Sequence, residues 1–141
     1  FSEKQQLAQV NRIRELHEEA CNQAQNPGID HPNSPFAVIN RSEKMVICGD
    51  FNFIPESSPY KLITSDFSPK IPNLIDAWKV VHPNKNRKPT CGIFDHKQWK
   101  KGPHCRDYFF ISQNLSKQIR KFSVNTETAA SDHQPIYISI E

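Results

Sequence analysis

Met45-Val46-Ile47-Cys48-Gly49-Asp50-Phe51-Asn52 runs four apolar residues into a glycine, an acid, an aromatic ring and an amide. An apolar run of that length, bounded by glycine, reads as a buried strand. Gly49 lets the backbone turn there or approach a ligand closely, because no Cβ stands in the way. Asp50 and Asn52 then sit at the carboxyl end of the strand. In open α/β sheets that end borders the crevice where ligands bind. An ordinary turn is the plainer reading of the same residues, since Asp and Asn are common turn formers. The choice depends on whether other parts of the chain bring partners to the same place.

At 141 residues the chain has the size of one domain and can bury a core of its own. Hydrophobic residues make up 36%, and 11 prolines against 4 glycines point to a modest core joined by long, stiff connections. No run reaches the length of a membrane span, and Phe1-Ser2-Glu3-Lys4 lacks the apolar centre of a signal peptide. Without an initiating methionine the chain is expected to be a processed or truncated piece of something longer. The net charge of +3 names no partner, but its distribution is lopsided. Lys79, Lys85, Arg87, Lys88, Lys97, Lys100 and Lys101 face a single acid, Asp95, over that stretch. Such a block attracts anions at a range that salt shortens, unless it is simply a solvated loop. Cys21, Cys48, Cys91 and Cys105 have no short paired spacing, which argues against zinc. Cys21 and Cys48 read as small buried hydrophobes, and a Cys91–Cys105 disulfide is left open.

Leu7, Val10, Ile13, Leu16, Ala20 and Ala24 recur three or four apart, the stripe of an amphipathic helix over residues 2–24. Ser2 and Gln5 fit a capping box, and Asn26-Pro27-Gly28 supplies the stop. His17 lies near the apolar face and reads as a packing residue. Phe36-Ala37-Val38-Ile39 is either a short strand or a buried anchor within a loop. Ser57-Ser58-Pro59 opens a short helix, and Leu74-Ile75-Asp76-Ala77-Trp78 reads as a helical turn seating Trp78 in the core. Residues 106–112 read as a strand buried on both faces, with further strands over 119–126 and 136–140. A helix, a strand, a helix and then several strands imply α/β or α+β layering.

Two more strand ends repeat the pattern of the first. Asp107 precedes the apolar run of 108–111, and Ser131-Asp132-His133 precedes the last strand. Carboxylates bind hard divalent cations through oxygen, histidine exchanges a proton near neutral pH, and an amide orients a nucleophile or holds a charged oxygen. That set suits metal-assisted phosphoester hydrolysis.

Gly49-Asp50-Phe51-Asn52, the Asp107-Tyr108 strand and Ser131-Asp132-His133 resemble the endonuclease/exonuclease/phosphatase family of DNase I-like, metal-dependent phosphoesterases. The resemblance runs from Lys44 onward and includes Asp76-Ala77-Trp78, His82-Pro83 and Thr90 in order. It implies that Asp50 positions or activates the attacking water and that Asn52 orients that water or the phosphate. Asp132 would lie in a site for Mg²⁺ or Mn²⁺. His133 would stabilise the phosphate or transfer a proton, with Asp107 holding its other ring nitrogen. Arg106 stands one position away from the arginine such proteins carry, so it is expected to face elsewhere and receives no role.

The implied fold is α/β (α+β). The chain, residues 1–141, would be the carboxyl-terminal half of a four-layered sandwich, with one mixed sheet and helices on its outer face. The missing half would carry a metal-binding glutamate. The expected partners are a phosphorylated substrate, with nucleic acid among the candidates, and either that missing half or a second copy on the uncovered sheet face. A phosphate- or nucleic-acid-binding module without catalysis is the alternative, and a secreted nuclease held by the Cys91–Cys105 disulfide is a third. Sedimentation of the 141-residue chain checks the uncovered face: self-association is expected, and a strictly monomeric, well-folded species contradicts it.

Overall fold

Gln5 N–H donates to the Ser2 hydroxyl, and the Gln5 side chain accepts the Ser2 N–H at 2.9 Å, so the first helix begins at the expected capping box. In the computed structural model, which describes residues 2–141, the chain order is α1 (Glu3–Gln25), β1 (Val46–Asp50), α2 (Ser58–Ile63), β2 (Leu74–Asp76) and α3 (Ala77–Val81). There follow β3 (Asp107–Ser112), a 3₁₀ helix (Gln113–Gln118), β4 (Ile119–Val124) and β5 (Ile136–Ile140). Phe1 lies outside the described residues. Among the described residues no helix is long and apolar enough to cross a membrane.

The class is α+β, consistent with a DNase I-like domain fragment, but the single mixed sheet expected from the sequence is replaced by two antiparallel ones. The first has the order β1-β3-β2, and the second pairs β4 with β5. The connections explain the difference: residues 119–140 fold back on themselves as a pair instead of adding to β3. Tyr108 and Phe110 on one face of β3 stack at 5.1 Å and meet Val10, Phe53, Tyr60 and Ile63. Ile111 and Phe109 on the other face meet Trp78, Leu115, Phe122 and Val124. β3 is therefore buried on both faces, as its apolar run implies.

Several local expectations change. The 74–78 turn is β2 followed directly by α3, with the Asp76 carboxylate capping α3 by accepting Trp78 N–H at 2.9 Å. Phe36 and Ile39 are exposed, so 36–39 is neither a strand nor a buried anchor. The buried side of α1 carries Val10, His17 and Cys21, while Leu16 is exposed. His17 is the packing residue expected: its Nε2 lies 2.8 Å from the Pro72 carbonyl and its ring meets Phe67 edge-on. β1 is an edge strand, and its Val46 and Cys48 are exposed where burial was expected.

Part of the basic block is structural. Arg87 pairs with buried Asp76, which also accepts a hydrogen bond from Tyr60 Oη at 2.9 Å, and burial beside that acid pushes the Tyr60 phenol up. Removing one partner of such a buried pair leaves an uncompensated charge. Lys79 pairs with Glu56 at 2.8 Å on the surface. All four cysteines are free, including Cys91 and Cys105. Burial pushes the Cys91 thiol up to about 12 and raises Cys105 and Cys21 as well. Raised thiols are neutral at pH 8, and the thiolate is the nucleophile. A thiol reagent at pH 8 is therefore expected to modify exposed Cys48 first and the other three more than ~100-fold more slowly. Fast labelling of more than one cysteine in the folded chain contradicts that burial.

Candidate active site

The β1–β3 register puts Asp50 directly across from Asp107. Side chains alternate along a strand, so Asp50 and Asp107 share the face that carries Phe109 and Ile111, the side on which β4 and β5 lie. Gly49 precedes Asp50 at φ +143°, a conformation that residues with side chains rarely adopt. Beyond Asp50 the chain turns sharply. Asp50 Oδ1 accepts Asn52 N–H at 2.7 Å, and Asn52 takes the left-handed conformation at φ +57° that asparagine tolerates. One Asp50 carboxylate oxygen builds the turn, and the other lies 3.8 Å from His133 Nε2. The Asn52 carbonyl is held by Gln6 Nε2 at 2.6 Å and by Arg106 Nη1 at 3.1 Å.

Thr90 and Cys91 bring the third corner into place. Cys91 forms β-bridges to both His104 and His133, and Gln134 N–H donates to the Thr90 carbonyl at 2.6 Å. The His133 ring is thereby laid against Asp107, with Nδ1 2.8 Å from Asp107 Oδ2. A carboxylate only accepts, so Nδ1 carries the proton. Nε2 then points at Asp50 Oδ2, 3.8 Å away, and Asp132 Oδ2, 4.0 Å away. Both distances exceed a hydrogen bond, so Nε2 is left to engage another atom. Asp107 and His133 side chains are 13% and 23% exposed, while Asp50 and Asp132 are 34% and 39% exposed. The dyad is sheltered and the two flanking acids reach solvent. Asp132 is steadied by Gln98 Nε2 at 3.1 Å and by the Ser131 hydroxyl at 3.3 Å.

Thr90 is the residue whose role the sequence left unassigned. It is 1% exposed, its hydroxyl donates to Asp107 Oδ2 at 2.6 Å, and it accepts the N–H groups of Arg106 and Asp107 at 3.0 and 3.1 Å. One hydroxyl thus fixes both the backbone and the carboxylate of Asp107. No local pattern marks it, because its partners are 16 and 17 residues away.

Asp50, Asp107 and His133 offer ligand atoms that all lie within 4.8 Å of one another, a group that could hold a metal ion. Asp132, expected in the metal site, stands beside this group, next to His133 Nε2. Asp50, Asp107, Asp132 and His133 therefore converge, and Asn52 turns away from the strand end just past Asp50.

A family model described as the Endonuclease/Exonuclease/phosphatase family matches residues 25–133, and the chain belongs to that family. Its members are mostly hydrolases acting on phosphoesters and generally use divalent metals. No curated protein matches the chain.

Thr90→Val keeps the shape but leaves the Arg106 and Asp107 N–H groups without this acceptor and Asp107 Oδ2 with His133 alone. A loss of about 2 kcal/mol or more is expected from urea unfolding, with most of it restored in Thr90→Ser. An unchanged midpoint in Thr90→Val contradicts the role of the hydroxyl.

Proposed function

We propose that this member of the endonuclease/exonuclease/phosphatase family is a divalent-metal-dependent phosphoesterase of nuclease or phosphodiesterase type. The observation that carries the reading is the His133 ring, fixed through Nδ1 by Asp107 while Nε2 faces Asp50 and Asp132 without a direct partner. A phosphoryl oxygen placed among those groups would meet Nε2, and His133 would hold it there or pass a proton at that atom. Asp107 holds Nδ1–H and so aims Nε2 at the phosphate; the proton that Nε2 would donate there is a second one, carried by the imidazolium. Asp50, through Oδ2, would orient the attacking water, and Asn52 would orient that water or the phosphate.

The donor set fits a hard cation. Carboxylate oxygens on one solvent-reaching rim are what Mg²⁺ or Mn²⁺ takes, with waters completing the shell. Asp107 is engaged by His133 and Thr90, which leaves Asp132 and Asp50 as the residues that would hold the ion. Bound there, the ion would supply positive charge that polarises the phosphoester.

The exposed part of β1, on the face that also carries Asp50, supports a second element of the reading. Val46 is 43% exposed and Cys48 is also open to solvent, on a strand with only one neighbour. The chain would be the carboxyl-terminal part of a longer domain, with the rest of that domain or a second copy covering this face.

With bis(p-nitrophenyl) phosphate as substrate, hydrolysis is expected to vanish in chelator and return with Mg²⁺ or Mn²⁺. Asp132→Ala and His133→Ala are each expected to lower kcat by about 10²–10⁴-fold. Full activity in both variants would overturn the assigned roles. Binding of a phosphodiester without turnover at any Mg²⁺ concentration would mark the chain as a binding module.

A further inference from the structure

A cavity of roughly 630 Å³ opens beside Asn52, between residues 52–59 and the loop 98–106. Its volume falls in the range of small-molecule sites. Phe53, Ile54 and Trp99 give it apolar walls, and Arg106, Lys100 and Lys101 give it positive charge. The one acid lining it is Glu3. Two lining residues reach the reaction site: the Trp99 ring lies 6.0 Å from the His133 ring, and Gln98 Nε2 donates to Asp132 Oδ2 at 3.1 Å, so the cavity borders the place where the phosphate would sit.

Arg106 has the properties of a ligand-binding cation. Its Nε–H donates to His104 Nε2 at 2.9 Å, and its Nη1 donates to the Asn52 carbonyl at 3.1 Å. His104 Nδ1 lies 2.8 Å from the Gly102 carbonyl, which only accepts, so Nδ1 is protonated and Nε2 presents its lone pair to Arg106. Both partners of Arg106 are neutral. Among the described residues no carboxylate lies within ion-pair distance of this guanidinium, whereas Arg87 in the same basic block has Asp76. Two of its five N–H groups are used by the protein, and its Cζ lies 4.8 Å from the centroid of the Trp99 ring. A guanidinium held in place with spare donors matches a carboxylate or phosphate better than a mobile lysine does.

Trp99 is held as firmly. Gly102 N–H donates to the Trp99 carbonyl at 2.9 Å, and a Cβ on Gly92 would come within 2.7 Å of the Gly102 carbonyl oxygen. The base of the loop therefore closes around a glycine that has no space for a side chain. Trp99 Nε1 is the buried side-chain donor left without a partner among the described residues. An acceptor on a ligand entering past the ring would relieve that deficit.

We propose that this cavity binds the group esterified to the scissile phosphate, and that Arg106 selects for an apolar or aromatic group carrying a negative charge of its own. The proposal rests on the phosphoesterase reading of the neighbouring site, but binding can be measured without catalysis. Adenosine 5′-monophosphate supplies a ring and a charge, adenosine the ring alone, and inositol 1-phosphate the charge without an aromatic ring. Calorimetric titration of the full 141-residue chain in chelator is expected to show the monophosphate binding at least about tenfold more tightly than either of the others. Arg106→Gln is expected to bring it down to the level of adenosine. Because Arg106 also anchors the Asn52 turn, Lys100→Gln with Lys101→Gln provides a second arm at exposed positions. That double variant is expected to weaken the monophosphate about threefold or more and leave adenosine unchanged.

Equal binding of the monophosphate and adenosine, or of the monophosphate and inositol 1-phosphate, overturns the proposal. So does the absence of monophosphate binding, or an unchanged preference in both sets of variants. Loss of phosphoester hydrolysis with the binding order intact would instead count against the catalytic reading alone.

Discussion

The antiparallel ladder between β1 and β3 holds Asp50 opposite Asp107, and the distances in the site follow from that register. A slip of one residue would turn one of the two carboxylates to the opposite face of the sheet. The register is protected by what lies on each side of β3. Tyr108 and Phe110 are locked into the aromatic cluster with Phe53 and Tyr60, and Ile111 is locked under Trp78 and Leu115. Moving the ladder would require both clusters to repack at once, and close-packed interiors resist that. Asp107 is thus positioned by a core that is not itself part of the chemistry.

The second constraint is the short segment at Thr90 and Cys91, which ties three parts of the chain together without being a full strand. It bridges to His104 on one side and His133 on the other, and its hydroxyl serves the start of β3. Hydrogen bonds to a charged, sheltered group are each worth about 1.5–3 kcal/mol, so losing the Thr90 bond to Asp107 would disturb the ring of His133 as well. The same segment carries the base of the loop whose Trp99 and Arg106 wall the neighbouring cavity. Reaction site and cavity therefore share one frame.

The convergence of Asp50, Asp107, Asp132 and His133 was legible in the sequence because each is a polar residue interrupting or preceding an apolar run, and strand ends converge. The α1 start was legible because a capping box is local to four residues. What escaped had non-local causes. Val46 and Cys48 belong to an apolar run that reads the same whether or not anything covers it, so their exposure could not be foreseen. Leu16 fits the apolar stripe of α1 by spacing yet is exposed, because spacing alone does not say where the neighbouring elements stop covering the helix. β2 spans only three residues before α3 begins, too short for a period to show. Arg106 and Thr90 stand out in sequence only through the family resemblance, which gives neither a role, and their partners lie far along the chain.

Three separate strand ends would form one site for a divalent cation and a phosphoester. Mn²⁺ added to the ¹⁵N-labelled chain tests it most directly, because the paramagnetic ion broadens the amide signals nearest to it. The signals of Asp50, Asn52, Asp132 and His133 are expected to broaden first and together, and the effect to weaken in Asp132→Ala. Broadening that begins on the exposed acids of α1, such as Glu15 and Glu19, or that leaves those four signals unaffected, would contradict it.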